Sequence, residues 1–120
     1  MNPVQKVRWE ELTEEQQKAY GNGCGPKWAP VWAKKLLFGW FFSASCKRHD
    51  FAYARGGDEL DRYEADQGFK DAMLDDVKRL SWYLQPMAYT EAWSFYAIVR
   101  TFGSTSFDYG EYKTLREILQ

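Results

Sequence analysis

Several things are scarce in this chain of 120 residues, and each scarcity excludes something. It holds one histidine and two cysteines, too few for a four-ligand nitrogen/sulfur zinc site without carboxylates. Long apolar runs are missing. The longest stretches without a charge, residues 36–46 and 80–90, are each 11 residues, whereas a membrane-spanning helix needs about 20. Excess charge of one sign is also missing. Sixteen basic and 17 acidic residues leave a net charge of −1, which does not suggest bulk nucleic-acid binding through counterion release. The first ten residues contain no apolar core of a cleavable leader. The expectation is therefore a mature fragment, a chain exported by another route, or one that stays inside the cell.

What is present is a globular composition. Apolar residues make up 45% and charged residues 28%, with 8 Phe, 8 Tyr and 6 Trp, which excludes intrinsic disorder. The length favours a single domain. The near-zero net charge conceals a polarity. Residues 21–55 carry six cations against Asp50, net +5, and residues 56–76 carry eight acids against Arg62 and Lys70, net −6. The basic half suits an anionic surface.

The pattern along the chain is helical. Thr13 and Gln16 have capping-box spacing, and residues 8–20 are expected to be helical. Gly21, Gly23, Gly25 and Pro26 mark an irregular loop. Residues 43–55 read as a helix capped by Ser43 or Ser45 and stopped by Gly56 and Gly57. Asp58 caps a second helix expected to run to about Leu84, with Leu60, Tyr63, Phe69, Met73, Leu74, Val77, Leu80 and Leu84 at spacings of three and four. Pro86 is expected to end it. A third helix covers residues 91–102 and closes at Gly103. A short one lies within 111–119. The fold class expected is all-α.

The chemistry gathers on the helix at 43–55. Cys46, His49, Asp50 and Tyr53 stand at i, i+3, i+4 and i+7, within an arc of roughly 100°. Asp66 sits at matching phase on the next helix, which reaches His49 if the two pack antiparallel through the Gly-Gly turn. A carboxylate on one imidazole nitrogen fixes the tautomer and leaves the other nitrogen to take a proton from water. No side-chain nucleophile stands beside His49, so water is the economical one. Asp50 would then hold a hard, oxygen-liganded cation. Each signal alone is weak; a lone helical histidine is usually packing or surface. Their conjunction carries the argument.

Four blocks together resemble the phospholipase A2 superfamily, and most of all its small prokaryotic and fungal secreted branch. They are Asn22-Gly-Cys-Gly-Pro26, Ser45-Cys-Lys-Arg-His-Asp-Phe-Ala-Tyr53, Ala65-Asp-Gln-Gly-Phe-Lys-Asp-Ala-Met73 and Ala92-Trp-Ser-Phe-Tyr-Ala-Ile-Val-Arg-Thr-Phe-Gly103. The resemblance spans residues 20–103. It leaves an N-terminal extension, 1–19, and a C-terminal tail, 104–120, which either dock on the body or contact a protein partner.

The resemblance implies a fold of two antiparallel catalytic helices, an additional packing helix and an irregular calcium loop. It implies calcium-dependent hydrolysis of the sn-2 ester of glycerophospholipids. His49 would be the general base, Asp66 would orient it, and Tyr53 would join their hydrogen-bond network. Calcium would be held by Asp50, the Asn22 side chain and the Gly23 carbonyl, with the Gly25 backbone nearby, and would stabilise the tetrahedral oxyanion. Cys24 and Cys46 would pair, tying the metal loop to the catalytic helix; the alternative is two reduced, buried thiols, as in a reducing cytosol. Where the branch commonly has Asp, this chain has Asn22, which loses one ligand charge and implies weaker calcium binding.

The partner implied is a phospholipid membrane surface, met peripherally. Trp28, Trp32 and Trp40, interleaved with Lys34 and Lys35, suit a membrane interface as well as they suit a core packed against Trp93, Phe95 and Tyr96. The acidic run Asp58, Glu59, Asp61, Glu64, Asp71, Asp75 and Asp76 reads as a solvated helix face. The location expected is extracellular or exported, a virion included. The competing reading is a catalytically weak or idle member of the same fold, serving as an interaction module in a virus particle or toxin assembly.

Overall fold

The computed structural model describes residues 5–20 and 41–119. They form an all-α arrangement: α1 (Glu14–Ala19), α2 (Ser43–Arg55), α3 (Glu59–Val77), α4 (Gln85–Phe102) and α5 (Leu115–Ile118), with 3-10 turns at Trp9–Glu11 and Gly103–Thr105. No strand occurs among the described residues, where one isolated bridge joins Gly57 and Tyr109. No helix among them is long and apolar enough to cross a membrane.

Local chemistry sets most of the boundaries. The Thr13 hydroxyl accepts from the Gln16 N–H at 3.1 Å, and the Gln16 side chain accepts from the Thr13 N–H at 2.9 Å, a reciprocal cap. Asp58 and Asp61 repeat the device at the head of α3, both contacts at 3.0 Å. Between α2 and α3 the chain reverses at Gly56 (φ +82°) and Gly57 (φ +130°), values that L-side chains rarely adopt. A Cβ on Gly56 would also collide with the Asp108 carbonyl.

The turn makes α2 and α3 antiparallel. Tyr53 meets Asp66 near the turn, and the Ser45 hydroxyl donates to Asp76 at 2.7 Å far from it. α4 returns along α3 in the same manner, with Arg62 near Val99 and Lys70 near Trp93. The main core fills the space between them: Phe42, Cys46, Phe69, Met73, Val77, Ala88 and Ala92. Met73 is fully buried. Met73→Ala should cost about 2–5 kcal/mol, as cavity-forming core truncations do, readable as a lower denaturant midpoint with an unchanged slope.

Some boundaries differ from expectation. α2 is preceded by Phe42, which provides no side-chain cap; Ser43 lies inside the helix and Ser45 bonds Asp76 instead. α3 stops at Val77, and residues 78–80 tighten into i→i+3 turns. Leu80 still packs on the core. Apolar periodicity reports which residues are buried, and a turn can deliver them as a helix does. Pro86 opens α4 rather than closing α3, because its missing N–H falls among the orphan donors of a first turn. The last helix begins at Leu115 behind a Thr114 cap, four residues later than the earliest expected position.

Both terminal segments pack on this body. Leu12, Phe51 and Ile118 form a second core, joined by Val7, Trp9, Tyr20, Ala54 and Leu115. Lys6 pairs with Asp61 at 2.8 Å and Glu64 at 3.2 Å, and the Tyr112 hydroxyl donates to Asp61 at 3.0 Å. The acidic run is therefore not uniformly a solvated face. Asp61 is buried, and Asp76 bonds both Ser45 and Arg79. Burial alone would raise the Asp61 carboxyl; donors from Lys6, the Asp58 N–H and Tyr112 outweigh it and hold the group down to about 2.

Candidate active site

α2 and α3 place one imidazole against one carboxylate inside the protein. His49 Nε2 lies 2.7 Å from Asp66 Oδ1. The Tyr53 hydroxyl donates to the same oxygen at 2.6 Å. Asp66 is 0% exposed and His49 7%. The His49 ring is clamped between Tyr53, with centroids 4.1 Å apart, and Phe69, stacked at 4.5 Å. Its second nitrogen, Nδ1, makes no hydrogen bond to any described residue. With Asp66 ionised, Nε2 carries the proton and donates it to the carboxylate. Nδ1 is then an acceptor that no described residue engages.

Two cations complete the Asp66 environment. Arg100 Nη1, from the last turn of α4, donates to Asp66 Oδ2 at 2.7 Å. Arg62, one turn before Asp66 on α3, lies 3.7 Å from the same oxygen and donates to the Val99 carbonyl at 3.3 Å. Burial works against the Asp66 charge, but the bonds from His49, Tyr53 and Arg100 outweigh it and lower its pKa below the usual carboxylate value. The Tyr53 phenol moves the other way, pushed up by burial and then by its bond to Asp66, so it stays a donor. The sequence reading missed both arginines. Arg62 had a signal in its i, i+4 spacing to Asp66; Arg100 had none beyond its place in the last turn of a helix.

Because both buried carboxyls titrate lower in the folded chain, the stability they contribute is full above an ordinary carboxylate pKa near 4. It is lost as pH falls through their folded values. The melting temperature should therefore hold between pH 7 and pH 5 and drop steadily from about pH 4 towards pH 2. Asp61→Asn should flatten part of that drop. A melting temperature unchanged down to about pH 2 would contradict this linkage.

Gly103 gives the Tyr53 hydroxyl its room. A Cβ at Gly103 would collide with that oxygen and press on the ring carbons at 3.1 Å. Gly103→Ala should push Tyr53 away from Asp66 and cost about 1–3 kcal/mol, the usual range for overpacking. A denaturation midpoint equal to that of the parent would show that the ring yields freely.

Asp50, the neighbour of His49, is half-buried. Its charge acts on the Tyr20 phenol, which burial first and Asp50 second push up to about 12. No group of three or more His, Cys, Asp or Glu side chains able to hold a metal exists among the described residues. Asp50 thus offers one hard oxygen donor. The donors assigned with it, Asn22 and Gly23, lie outside the described residues, as do Gly25, Cys24 and the interfacial set Trp28, Trp32, Trp40, Lys34 and Lys35. Of the aromatic segment, the described part goes inward: Phe42 is fully buried and packs edge-on against Phe95 at 6.2 Å. Cys46 is buried one turn before His49.

Comparison with known proteins finds no matching family model, no matching curated protein and no matching solved structure.

Proposed function

We propose that this protein is a phospholipase A2-like esterase that activates water through His49 and Asp66. The observation that carries the reading is the buried 2.7 Å contact between His49 Nε2 and Asp66, with no described residue hydrogen-bonded to Nδ1. In that arrangement Nδ1 takes a proton from water as the water oxygen bonds the ester carbonyl carbon at the sn-2 position. The imidazolium that forms is held by Asp66 through Nε2–H. When the carbonyl re-forms, the bond to the glycerol oxygen breaks, and the Nδ1 proton goes to that leaving oxygen. The products are a fatty acid and a lysophospholipid. Tyr53 does no proton transfer; it fixes Asp66, and with Phe69 it fixes the ring plane.

The all-oxygen donor set of the Asp50 carboxylate, Asn22 amide and Gly23 carbonyl fits calcium. Bound there, calcium supplies positive charge for the phosphate and for the carbonyl oxygen. One carboxylate is a low charge count for such a site, so calcium activation should saturate well above the low-micromolar range. Cys46 would bridge to Cys24, consistent with no free cysteine among the described residues. Closing that loop contributes roughly 3 kcal/mol on chain-entropy grounds. Release of fatty acid and lysophospholipid from vesicles, dependent on calcium and abolished by a chelator, tests the reading.

A peripheral approach to membrane has support at the α3–α4 turn. Trp82 is 81% exposed, and Tyr83 and Met87 are exposed beside it, all within the uncharged stretch 80–90. Amphipathic rings of this type favour the lipid headgroup region. Trp82→Ser should lower hydrolysis of vesicles several-fold while leaving monomeric short-chain lipid unaffected; equal losses on both would remove the turn from the interface.

Arg100 and Arg62 favour a second reading. They spend part of the Asp66 charge on guanidinium groups, which weakens its hold on an imidazolium. A weak or idle module of the same fold, carried in a virus particle or toxin assembly, would show the same network without chelator-sensitive turnover.

A further inference from the structure

The face of α2 opposite His49 carries Arg48, Phe51, Ala52 and Arg55, also at i, i+3, i+4 and i+7. Together with α3 and residues 6–10 it encloses a cavity of about 300 Å³. Arg55 is 8% exposed, and its guanidinium is only partly engaged. Nη1 donates to the Val7 carbonyl at 2.9 Å. Nε is buried with no hydrogen-bond partner, and no carboxylate pairs with this residue among the described ones. A buried guanidinium N–H left without an acceptor is costly unless something answers it.

Asp61, Glu64 and Glu10 act on Arg55 through space but none forms an ion-pair contact with it, being engaged by other cations. Lys6 is committed to Asp61 and Glu64, and Arg48 to Glu10 at 3.0 Å. Arg8, exposed on the cavity rim, has no ion pair among the described residues. Among the described residues lining the cavity, Arg8 and Arg55 are then the two cations without an ion-pair contact. The wall also holds Glu10 and Glu64, paired with Arg48 and Lys6, and apolar groups including Trp9 and Phe51. Gly68 of α3 faces it too, and a Cβ there would meet nothing within 4 Å.

We propose that this cavity is a binding site for a phosphomonoester, with Arg55 and Arg8 as its anion ligands. A phosphomonoester carries close to two negative charges at neutral pH and several acceptor oxygens, suiting two guanidinium groups that make no ion-pair contact with a described carboxylate. The site lies on the other side of α2 from His49 and is roofed by the N-terminal segment; Phe69, which stacks on the His49 ring, borders it as well.

Calorimetry on the full chain tests it with two probes: inorganic phosphate at constant ionic strength, and vesicles of phosphatidylcholine with or without phosphatidate. The variants are Arg8→Ala, which removes one ligand from the rim, and Gly68→Leu, which fills the cavity from a helix position that tolerates a side chain. Circular dichroism and the melting temperature verify that both fold. Saturable binding of phosphate by the parent, weakened at least tenfold in Arg8→Ala and lost in Gly68→Leu, supports a site for free phosphate. The same pattern seen only with phosphatidate vesicles supports a lipid headgroup as the source. Absence of binding to either probe overturns the proposal. So does binding of equal strength in all three proteins, which would place the anion elsewhere.

Discussion

Replacing Asp66 by Ala should cost the fold about 3–5 kcal/mol, the range for removing one partner of a buried ion pair. That is a large share of the roughly 5–15 kcal/mol that holds a domain together. Four groups converge on this fully buried carboxylate: His49 at 2.7 Å, Tyr53 at 2.6 Å, Arg100 at 2.7 Å and Arg62 at 3.7 Å. Without it the Arg100 guanidinium, a phenol and an imidazole N–H lose their acceptor in a site that water does not reach freely. Arg62 keeps Glu59 and the Val99 carbonyl but loses a nearby counter-charge. Asp66→Asn keeps the shape but turns part of the acceptor into a donor facing Arg100, so it should fall between parent and Ala. Urea denaturation of the three proteins at neutral pH measures the order. A loss below about 1 kcal/mol for Asp66→Ala would mean that the cluster is solvated and the buried network wrong.

His49→Ala should have the opposite profile. Under the proposed chemistry it removes the base that accepts the water proton, an effect typically worth 10²–10⁴-fold. It should cost less stability than Asp66→Ala, because Asp66 retains Tyr53 and both arginines. The lost ring leaves a gap between Tyr53 and Phe69, so some loss is expected. A folded His49→Ala protein with activity near that of the parent would remove His49 from the mechanism.

The meeting of His49, Tyr53 and Asp66 was legible because helical spacing places residues on faces, and two glycines mark where one helix doubles back on another. That made a contact across 17 residues of sequence foreseeable. The arginines on Asp66 were not foreseeable in the same manner. Arginine usually reads as surface, and nothing local tells Arg100 that the α3 face opposite holds a buried charge. Asp61 looked like one acid among several on a wet face. Its partners, Lys6 and Tyr112, come from segments more than 50 residues away. The end of α3 was misplaced for a different reason: Leu80 keeps the apolar rhythm after the helix has stopped. Phe42 and Trp82 show the limit of composition. Both belong to aromatic, uncharged stretches, yet one is fully buried and the other is the most exposed large apolar residue described.

The most direct test of the account is release of labelled fatty acid from the sn-2 position of a phospholipid vesicle with millimolar-scale calcium, run beside a chelator control and His49→Ala. The account predicts steady release by the parent, abolished by chelator and reduced at least a hundredfold in the folded variant. Release that ignores both chelator and substitution, or none from the parent at any calcium concentration, would contradict it.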